Sequence, residues 1–355
     1  MYKISDYIKR GTKMVNNNIS PNNKKLSTVM LYATDRCDSK CNHCFIWAKS
    51  PKQHLSFAKI KEILSSKVVD KDTVIGLEGG EFLLHPEADE ILTYLSANHP
   101  KYDLLSNALR PDKLIEAVKK YKPMRLFISL DGDKEAYIGL RGVDGYDKVI
   151  KVMKELQGVV PISIMFTLTP FNNFEDLKHV AAVCKTYGAD MRIGIYNTME
   201  FFDTKSADHH TQNSLDYTID EIPEVVKDFE ENYDFIALYT HFRDGNLKLS
   251  CNSIKDSLVI YPNGDIPICQ NKQLILGNLN KETLEEIINK PSTIKIHDEH
   301  KNGCNGCWIN FHRKYDIILY RNLEKVMPKK AVSKILGEHY WSADKTQKYK
   351  DVIKG

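Results

Sequence analysis

The chain has 355 residues, enough for one large domain or two smaller ones, and its 42% hydrophobic and 27% charged residues are typical of a folded soluble protein. No apolar run approaches the ~20 residues that a membrane-spanning helix needs, and no signal-peptide pattern is present, so we expect a cytoplasmic protein. In that reducing compartment the eight cysteines are expected to be metal ligands or reactive thiols before disulfides.

The net charge of +3 is unevenly distributed along the chain. Residues 1–26 carry a balance of +5 and residues 312–355 a balance of +6, which leaves −8 for the part between them. Basic ends of this kind usually keep a chain solvated, and this is the simpler interpretation. The alternative is peripheral contact with a membrane surface or another anionic partner.

From the N-terminus, apolar residues recur with a helical period over residues 1–15, and "NNNISPNNKK" at 16–25 predicts a polar linker. From residue 27, β-prone runs alternate with helical runs in six βα repeats, which predicts a parallel sheet with helices outside it. Six strands are too few to close an eight-stranded barrel, so we expect an α/β fold with an open, partial (β/α)6 TIM-like barrel. The predicted strands occupy 27–34, 72–79, 102–108, 125–132, 161–170 and 191–197, and the predicted helices 57–66, 86–96, 111–121, 146–156 and 174–188.

The pattern changes after about residue 235. In "SLVIYPNGDIPIC" (257–269) two β-prone runs flank Asn263-Gly264, which predicts a β-hairpin. A helix is predicted over 281–290, then comes "CNGC", and the chain from Trp308 onward has a helical, basic pattern. The predicted segments are a basic N-terminal helix and linker (1–26), the barrel (27–235), a smaller cysteine-bearing domain (236–311) and a basic helical extension (312–355).

Three cysteines, Cys37, Cys41 and Cys44, follow the first predicted strand. Thiolates with this spacing can each take one iron of a four-iron cluster and leave the fourth iron open for another ligand. Zinc is the competing interpretation, because His43 could complete a tetrahedral set. His43 is adjacent to Cys44, however, which makes ligation by both awkward, and the spacing favours a [4Fe-4S] cluster.

The C-x3-C-x2-C spacing after the first barrel strand resembles the radical S-adenosylmethionine (radical SAM) enzymes, and the resemblance extends over most of residues 27–200. It implies that the amino and carboxylate groups of S-adenosylmethionine chelate the open iron. One-electron reduction by a flavodoxin- or ferredoxin-type partner then gives a 5′-deoxyadenosyl radical, which abstracts a hydrogen atom from the substrate. The protein's task is to position and shield that chemistry.

The same resemblance assigns residues to cofactor binding. "GLEGGEF" is similar to the family's Gly-Gly-Glu motif, although Phe82 stands where the family usually has proline. Glycines let the backbone approach a ligand closely, a carboxylate can accept hydrogen bonds from an ammonium group, and a guanidinium suits a carboxylate. The implied cofactor-binding residues are Gly79, Gly80, Glu81, Ser106, Asn107, Ser129, Asp131 and Arg141.

Four of the other cysteines, Cys251, Cys269, Cys304 and Cys307, can complete a second metal site. Spacing alone does not separate zinc from a fully ligated iron–sulfur cluster. The order of hairpin, "GN(L/I)" step, helix and late CxxC resembles the auxiliary-cluster domains of radical SAM enzymes. No cysteine follows Cys307 in the sequence, which matches the one-cluster "twitch" version of these domains. The resemblance therefore implies one auxiliary [4Fe-4S] cluster that accepts an electron. The eighth cysteine, Cys184, lies on the apolar face of a predicted helix and is expected to be a small buried hydrophobe.

The substrate is the least determined part of the prediction. The catalytic residue is unknown; weak candidates in and after the sixth predicted strand are Arg192, Tyr196, Glu200, Asp203, His209 and His210. Our main interpretation is a dehydrogenase-like oxidation of a sugar, a cyclitol or a carrier-linked metabolite, because only 26 residues precede the first strand. One alternative is a maturase that modifies a ribosomal precursor peptide. The non-enzyme alternatives are an iron–sulfur electron-transfer protein and a zinc module. The acidic middle of the chain argues against a nucleic-acid partner.

Overall fold

A computed structural model shows the barrel and much of the C-terminal part of the chain. The residues that it describes are 4–196, 202, 221–229, 235–236, 239, 242, 251, 253, 255–301, 307–309, 311, 327–328 and 330–331. The predicted basic extension therefore lies almost entirely outside the described residues. Among the described helices, none is long and apolar enough to cross a membrane.

The central sheet has seven parallel strands in the order β6-β5-β4-β3-β2-β1-β7. The first six match the six predicted strands, and the α/β partial-barrel fold is confirmed. The seventh strand pairs with β1 in parallel, Thr28 opposite Ser257 and Leu31 opposite Ile260. The strands are β1 (Thr28–Thr34), β2 (Val74–Gly79), β3 (Tyr102–Ser106), β4 (Arg125–Ser129), β5 (Ile162–Leu168), β6 (Asp190–Ile195) and β7 (Ser257–Ile260).

Helices cover the outer face of this sheet, and the outward strand residues pack against their apolar sides in one continuous core. Local sequence fixes several helix ends: the Ser56 hydroxyl accepts from Lys59 N–H, Asn173 forms a capping box with Asp176, and Gly188 ends α7 (Phe174–Tyr187) in the left-handed conformation. Cys184 is fully buried in α7, as expected. The helices are α1 (Ile4–Ile19), α2 (Phe57–Leu64), α3 (Ala88–Asn98), α4 (Pro111–Tyr121), α5 (Lys134–Arg141), α6 (Tyr146–Leu156), α7 (Phe174–Tyr187), α8 (Ile222–Val226), α9 (Leu284–Asn289) and α10 (Pro291–Lys301).

The predicted hairpin around Asn263-Gly264 needs a correction. The tight turn is present, with Gly264 at φ +85° and a hydrogen bond from Tyr261 N–H to the Asp265 carbonyl. Its two arms, however, enter different sheets: β7 joins the barrel, and β8 (Asp265–Cys269) pairs antiparallel with β9 (Lys272–Asn278). Because all four residues of β7 are buried, it finds its hydrogen bonds at the edge of the large sheet.

Helix α1 is tied to the N-terminal ends of the strands and extends four residues beyond the prediction. Arg10 donates to the Thr28 hydroxyl at 2.9 Å and forms a buried ion pair with Asp256. Lys13 pairs with Asp70 at 2.7 Å. These basic residues of α1 are therefore occupied by carboxylates of the protein itself.

Candidate active site

A cavity of ≈ 290 Å³ lies inside the half-barrel, and all three cysteines of the loop after β1 line it. Cys41 is buried, and Cys37 and Cys44 are half-buried free thiols. The rest of the wall comes largely from inward-facing positions of the six barrel strands: Met30 and Tyr32 of β1, Gly76 and Glu78 of β2, Leu105 of β3, Phe127 and Ser129 of β4, Met165 and Thr167 of β5, and Arg192 and Gly194 of β6.

The two glycines of the Gly-Gly-Glu stretch allow the cysteine loop to approach β2. Gly80 N–H donates to the Thr34 carbonyl at 2.8 Å. A Cβ at Gly80 would lie 2.1 Å from the Arg36 carbonyl oxygen and 3.1 Å from the Cys37 Cβ. At Gly79, φ is +131° and a Cβ would lie 2.3 Å from the Thr34 carbonyl oxygen. Both glycines line the cavity, but the close contact that requires them is with the backbone of the cysteine loop.

Glu81 is buried behind the cavity wall, with 2% of its surface exposed. Its carboxylate accepts from the Ser106 hydroxyl at 3.1 Å, from Asn107 N–H at 2.8 Å and from Leu83 N–H at 3.2 Å. Burial raises the pKa of Glu81 to about 7, against the lowering effect of these hydrogen bonds. Glu81 therefore joins the ends of β2 and β3. Its predicted contact with the cofactor stays a prediction.

Asn107 connects the end of β3 to the cysteine loop. Its side-chain N–H donates to Asp38 at 2.9 Å and lies 3.9 Å from the Cys37 sulfur. Asn107, Ser106 and Ser129 all line the cavity, so these three predicted site residues share one space with the cysteines.

Arg141 and Asp131 form a buried ion pair, with 7% and 0% of their surfaces exposed. Arg141 Nε donates to Asp131 Oδ2 at 2.7 Å, and Nη1 lies 3.6 Å from the Cys41 sulfur. Asp131 also accepts from Thr167 N–H at 2.8 Å. Arg141 lines the cavity, whereas Asp131 lies behind it.

The first cysteine loop offers three free thiols, a donor set that can hold an iron–sulfur cluster with one thiolate on each of three irons. Burial, with a smaller contribution from Cys41, raises the pKa of the Cys37 and Cys44 thiols to about 12, so each keeps its proton until a metal replaces it. Burial lowers the pKa of His43 to about 4, and its Nδ1 has no hydrogen-bond partner among the described residues. Within that same part of the chain, no three His, Cys, Asp or Glu side chains converge on one metal ion.

The structure also brings together the described members of the second cysteine set. Burial raises the pKa of Cys269 to about 12, and the nearby thiols of Cys307 and Cys251 contribute to the rise. Trp308, beside Cys307, is fully buried and donates from its indole N–H to the Phe235 carbonyl at 2.8 Å. Cys304 lies outside the described residues.

Residues next to the second cysteine set reach the cavity. Gln270, which directly follows Cys269, and Ile309, which is two residues after Cys307, both line the cavity. The Tyr32 hydroxyl of β1 donates to the Gln270 side-chain oxygen at 2.5 Å. The cavity is therefore bounded by the first cysteine loop on one side and by neighbours of the second set on another.

Glu78 was not among the predicted site residues. It lines the cavity, makes no hydrogen bond with the described residues, and burial raises its pKa to about 7, with Arg192 acting to lower the pKa and Asp103 to raise it. The sequence signal that could have identified it is a charged residue at an inward-facing position of a strand whose other residues are apolar or glycine.

Two of the weak catalytic candidates also line the cavity. Arg192 packs its guanidinium 4.6 Å from the Phe127 ring centroid, and its buried Nε and Nη2 find no hydrogen-bond partner within the described part of the chain. Tyr196 makes an edge contact with His43 at 6.4 Å between ring centroids. Glu200, Asp203, His209 and His210 lie outside the described residues.

A seven-stranded half-barrel with a three-cysteine loop after its first strand, followed by a second cysteine set, defines an iron–sulfur enzyme of the partial TIM-barrel class. Residues 31–184 match the radical SAM superfamily, and residues 251–308 match the SPASM iron–sulfur cluster-binding domain. The chain belongs to the radical SAM enzymes with a C-terminal SPASM-type domain. Its cofactors are S-adenosylmethionine, the [4Fe-4S] cluster that binds it, and auxiliary iron–sulfur cluster binding by the C-terminal domain.

Among curated relatives, the chain is 26% identical over 320 residues to the antilisterial bacteriocin subtilosin biosynthesis protein AlbA of Bacillus subtilis, which covers 79% of this chain and 68% of AlbA. It is 27% identical over 169 residues to the mycofactocin maturase MftC of Mycobacterium tuberculosis, 45% of this chain and 42% of MftC. A third relative is the GTP 3′,8-cyclase 1 of the same organism, 23% identical over 204 residues, 52% of this chain and 54% of the cyclase.

Solved structures share the fold. Streptococcus suis SuiB bound to its precursor peptide SuiA superposes with a TM-score of 0.61 at 18% identity, over 84% of this chain and 75% of SuiB. The enzyme anSMEcpe with bound AdoMet superposes with a TM-score of 0.54 at 16% identity, over 89% of this chain and all of that chain.

Proposed function

We propose that this radical SAM enzyme is a maturase that oxidatively modifies a ribosomally made precursor peptide. The observation that carries the proposal is the extent of the match to AlbA, a bacteriocin biosynthesis protein, which spans both the barrel and the C-terminal domain. A precursor-peptide complex of a protein with the same fold is consistent with it. This replaces the dehydrogenase-like oxidation of a small metabolite that the sequence led us to prefer, because the match to AlbA supports the peptide alternative better.

We assign the metal ligands as the sequence indicates. Cys37, Cys41 and Cys44 would hold the cluster that binds S-adenosylmethionine, which supplies the 5′-deoxyadenosyl radical. The four later cysteines would hold one auxiliary [4Fe-4S] cluster as an electron acceptor: Cys251, Cys269, Cys304 and Cys307. Full ligation by thiolates suits electron transfer, because such a cluster has no vacant position for a substrate.

The protein's own residues define where a peptide side chain would react. The cavity between the two cysteine sets has mostly apolar walls beside Glu78 and Arg192, which supports a role in excluding water from a radical. Its volume of ≈ 290 Å³ is at the low end for a ligand pocket, so most of a peptide would have to lie outside the barrel.

The test uses anaerobically reconstituted enzyme with dithionite, S-adenosylmethionine and short peptides encoded beside its gene. We expect a peptide mass lower by about 2 Da for each two-electron oxidation, together with 5′-deoxyadenosine, measured by mass spectrometry. A parallel panel of sugars and aminocyclitols serves as the contrast. Oxidation of a panel compound with no change in any peptide would overturn the peptide proposal and restore the small-metabolite alternative.

A further inference from the structure

The guanidinium group of Arg141 contacts a sulfur atom of the cysteine loop. Its Nη1 lies 3.6 Å from the Cys41 sulfur, while Nε and Nη2 both contact Asp131 Oδ2. Because Asp131 is itself fixed by Thr167 N–H, the planar guanidinium has one orientation, with one edge on Asp131 and the remaining nitrogen toward Cys41.

The backbone of Arg141 is bound to the same loop. Its carbonyl accepts from Lys40 N–H at 3.0 Å and from the Ser39 hydroxyl at 3.2 Å. The Ser39 hydroxyl also lies 3.1 Å from the Cys41 sulfur. Gly142, at φ +65°, permits this approach, since a Cβ there would lie 2.5 Å from the Lys40 carbonyl oxygen. The end of α5 and the cysteine loop therefore form one interlocked unit.

Cys41 differs from the other two cysteines in its surroundings. Cys41 is the buried member of the set and, among the described residues, the one whose sulfur lies within hydrogen-bonding distance of a cationic nitrogen. Hydrogen bonds to cluster sulfurs and nearby charge are the main protein controls on the potential of an iron–sulfur cluster. A donor with a positive charge stabilises the reduced, more negative cluster more than the oxidised one.

We propose that Arg141 is a positioning and redox-tuning residue: it holds the cysteine loop and donates to the Cys41 sulfur, which raises the reduction potential of the cluster at Cys37, Cys41 and Cys44. This differs from the sequence-based expectation that Arg141 pairs with the cofactor's carboxylate. The proposal rests on the assignment of these cysteines as cluster ligands and is independent of the substrate.

The experiment is a reductive titration of the reconstituted cluster, followed by electron paramagnetic resonance without S-adenosylmethionine or substrate. We expect Arg141→Met to have a more negative midpoint potential than the wild type, and Arg141→Lys an intermediate one. The matched control is Arg110→Met: Arg110 pairs with Asp38 of the same loop at 3.0 Å, but its side chain is 51% exposed. That control is expected to keep the wild-type potential.

Asp131→Asn covers the case in which Arg141→Met does not retain its cluster. It keeps the guanidinium and removes the opposing charge, so we expect a less negative potential. Wild-type potentials in both Arg141→Lys and Asp131→Asn would overturn the proposal. The proposal would also be overturned if Arg141→Met kept the wild-type potential and its cluster signal no longer responded to added S-adenosylmethionine. That combination is the one expected when Arg141 binds the cofactor and does not tune the cluster. Absence of iron from the wild type would refute the cluster assignment instead.

Discussion

At the scale of single residues, Gly80 shows how a short motif can serve the protein backbone as well as a ligand. A Cβ at this position would overlap the Arg36 carbonyl oxygen, a backbone atom that can move only with the cysteine loop. We therefore predict that Gly80→Ala displaces Cys37 and lowers the iron content of the reconstituted enzyme by about half, that is by one cluster.

The control for this change is Gly139→Ala in α5, where nothing lies within 4 Å of the added Cβ. Alanine in an open helical position should raise stability by ~0.5–1 kcal/mol and leave iron content at the wild-type value. Iron content that falls equally in both variants would show that the close approach at Gly80 does not control cluster binding.

Glu78 leads to a prediction about pH. Burial raises its pKa from the usual 4.5 to about 7, so the folded protein holds this proton at pH values where the unfolded chain has lost it. Below pH 4.5 the side chain is protonated in both the folded and the unfolded protein, and folding loses nothing. As the pH rises from 4.5 through about 7 the unfolded chain gives up the proton first, so the free energy of unfolding falls. Glu78→Gln should therefore be more stable than the wild type at pH 8, by ~1–3 kcal/mol, and should match it near pH 4.5.

The measurement is the Tm of cluster-free protein between pH 4.5 and 8. Glu116→Gln on α4 is the matched control, since Glu116 is exposed, and we expect its Tm to follow the wild type at every pH. A Glu78→Gln curve parallel to that of the wild type would contradict the raised pKa of Glu78.

At the scale of elements, helix α1 is attached to the sheet by a buried ion pair. The side chains of Arg10 and Asp256 are 10% and 4% exposed, so removing one partner leaves the other charge buried. We predict that Arg10→Met lowers the free energy of unfolding by about 3–5 kcal/mol. Denaturant unfolding of the cluster-free protein measures it.

Lys9→Met provides the comparison on the same helix. Lys9 pairs with Asp72, but its side chain is 53% exposed, and the loss should stay below about 1 kcal/mol. Equal losses in the two variants would mean that α1 is held by its apolar contacts, such as that of Met14, and not by the Arg10 pair.

The elements also show what could be predicted from the sequence. Strands β1 to β6 were predicted because each is a β-prone run followed by a helical one, a pattern that depends on neighbours in the chain. β7 was predicted as an arm of a hairpin, since the turn at Asn263-Gly264 is local and visible, whereas its pairing with β1 joins segments more than 200 residues apart. Local patterns identify a turn but do not specify which distant strand its flanks will join.

The candidate site follows the same rule. Cys37, Cys41 and Cys44 were predicted as one site from their spacing, and Ser129 and Asn107 were added to it by the resemblance to the radical SAM enzymes; all five line the cavity. The partners of Glu81 and Arg141 were not predicted, because those contacts depend on how two loops pack in three dimensions. Burial of Glu78 beside a cavity likewise has no counterpart in a short sequence motif.

At the scale of the whole molecule, the two cysteine sets should behave as separate metal centres. We predict about eight irons per reconstituted chain and about four after replacing either Cys37, Cys41 and Cys44 together or Cys304 and Cys307 together by alanine. The first replacement should also abolish 5′-deoxyadenosine formation with dithionite. Stoichiometric zinc with little iron in the wild type would contradict both assignments.

The strand β7 has a consequence for how this protein could be divided or recombined. By sequence, β7 belongs to the segment with the second cysteine set, yet it covers the backbone edge of β1, and the adjoining Asp256 pairs with Arg10 of α1. A shortened chain that stopped at residue 250 would leave that edge free to associate with other copies. If the C-terminal segment is joined to another barrel, the first strand of that barrel must offer an edge that β7 can pair with. The two cluster-binding parts therefore cannot be exchanged independently between proteins.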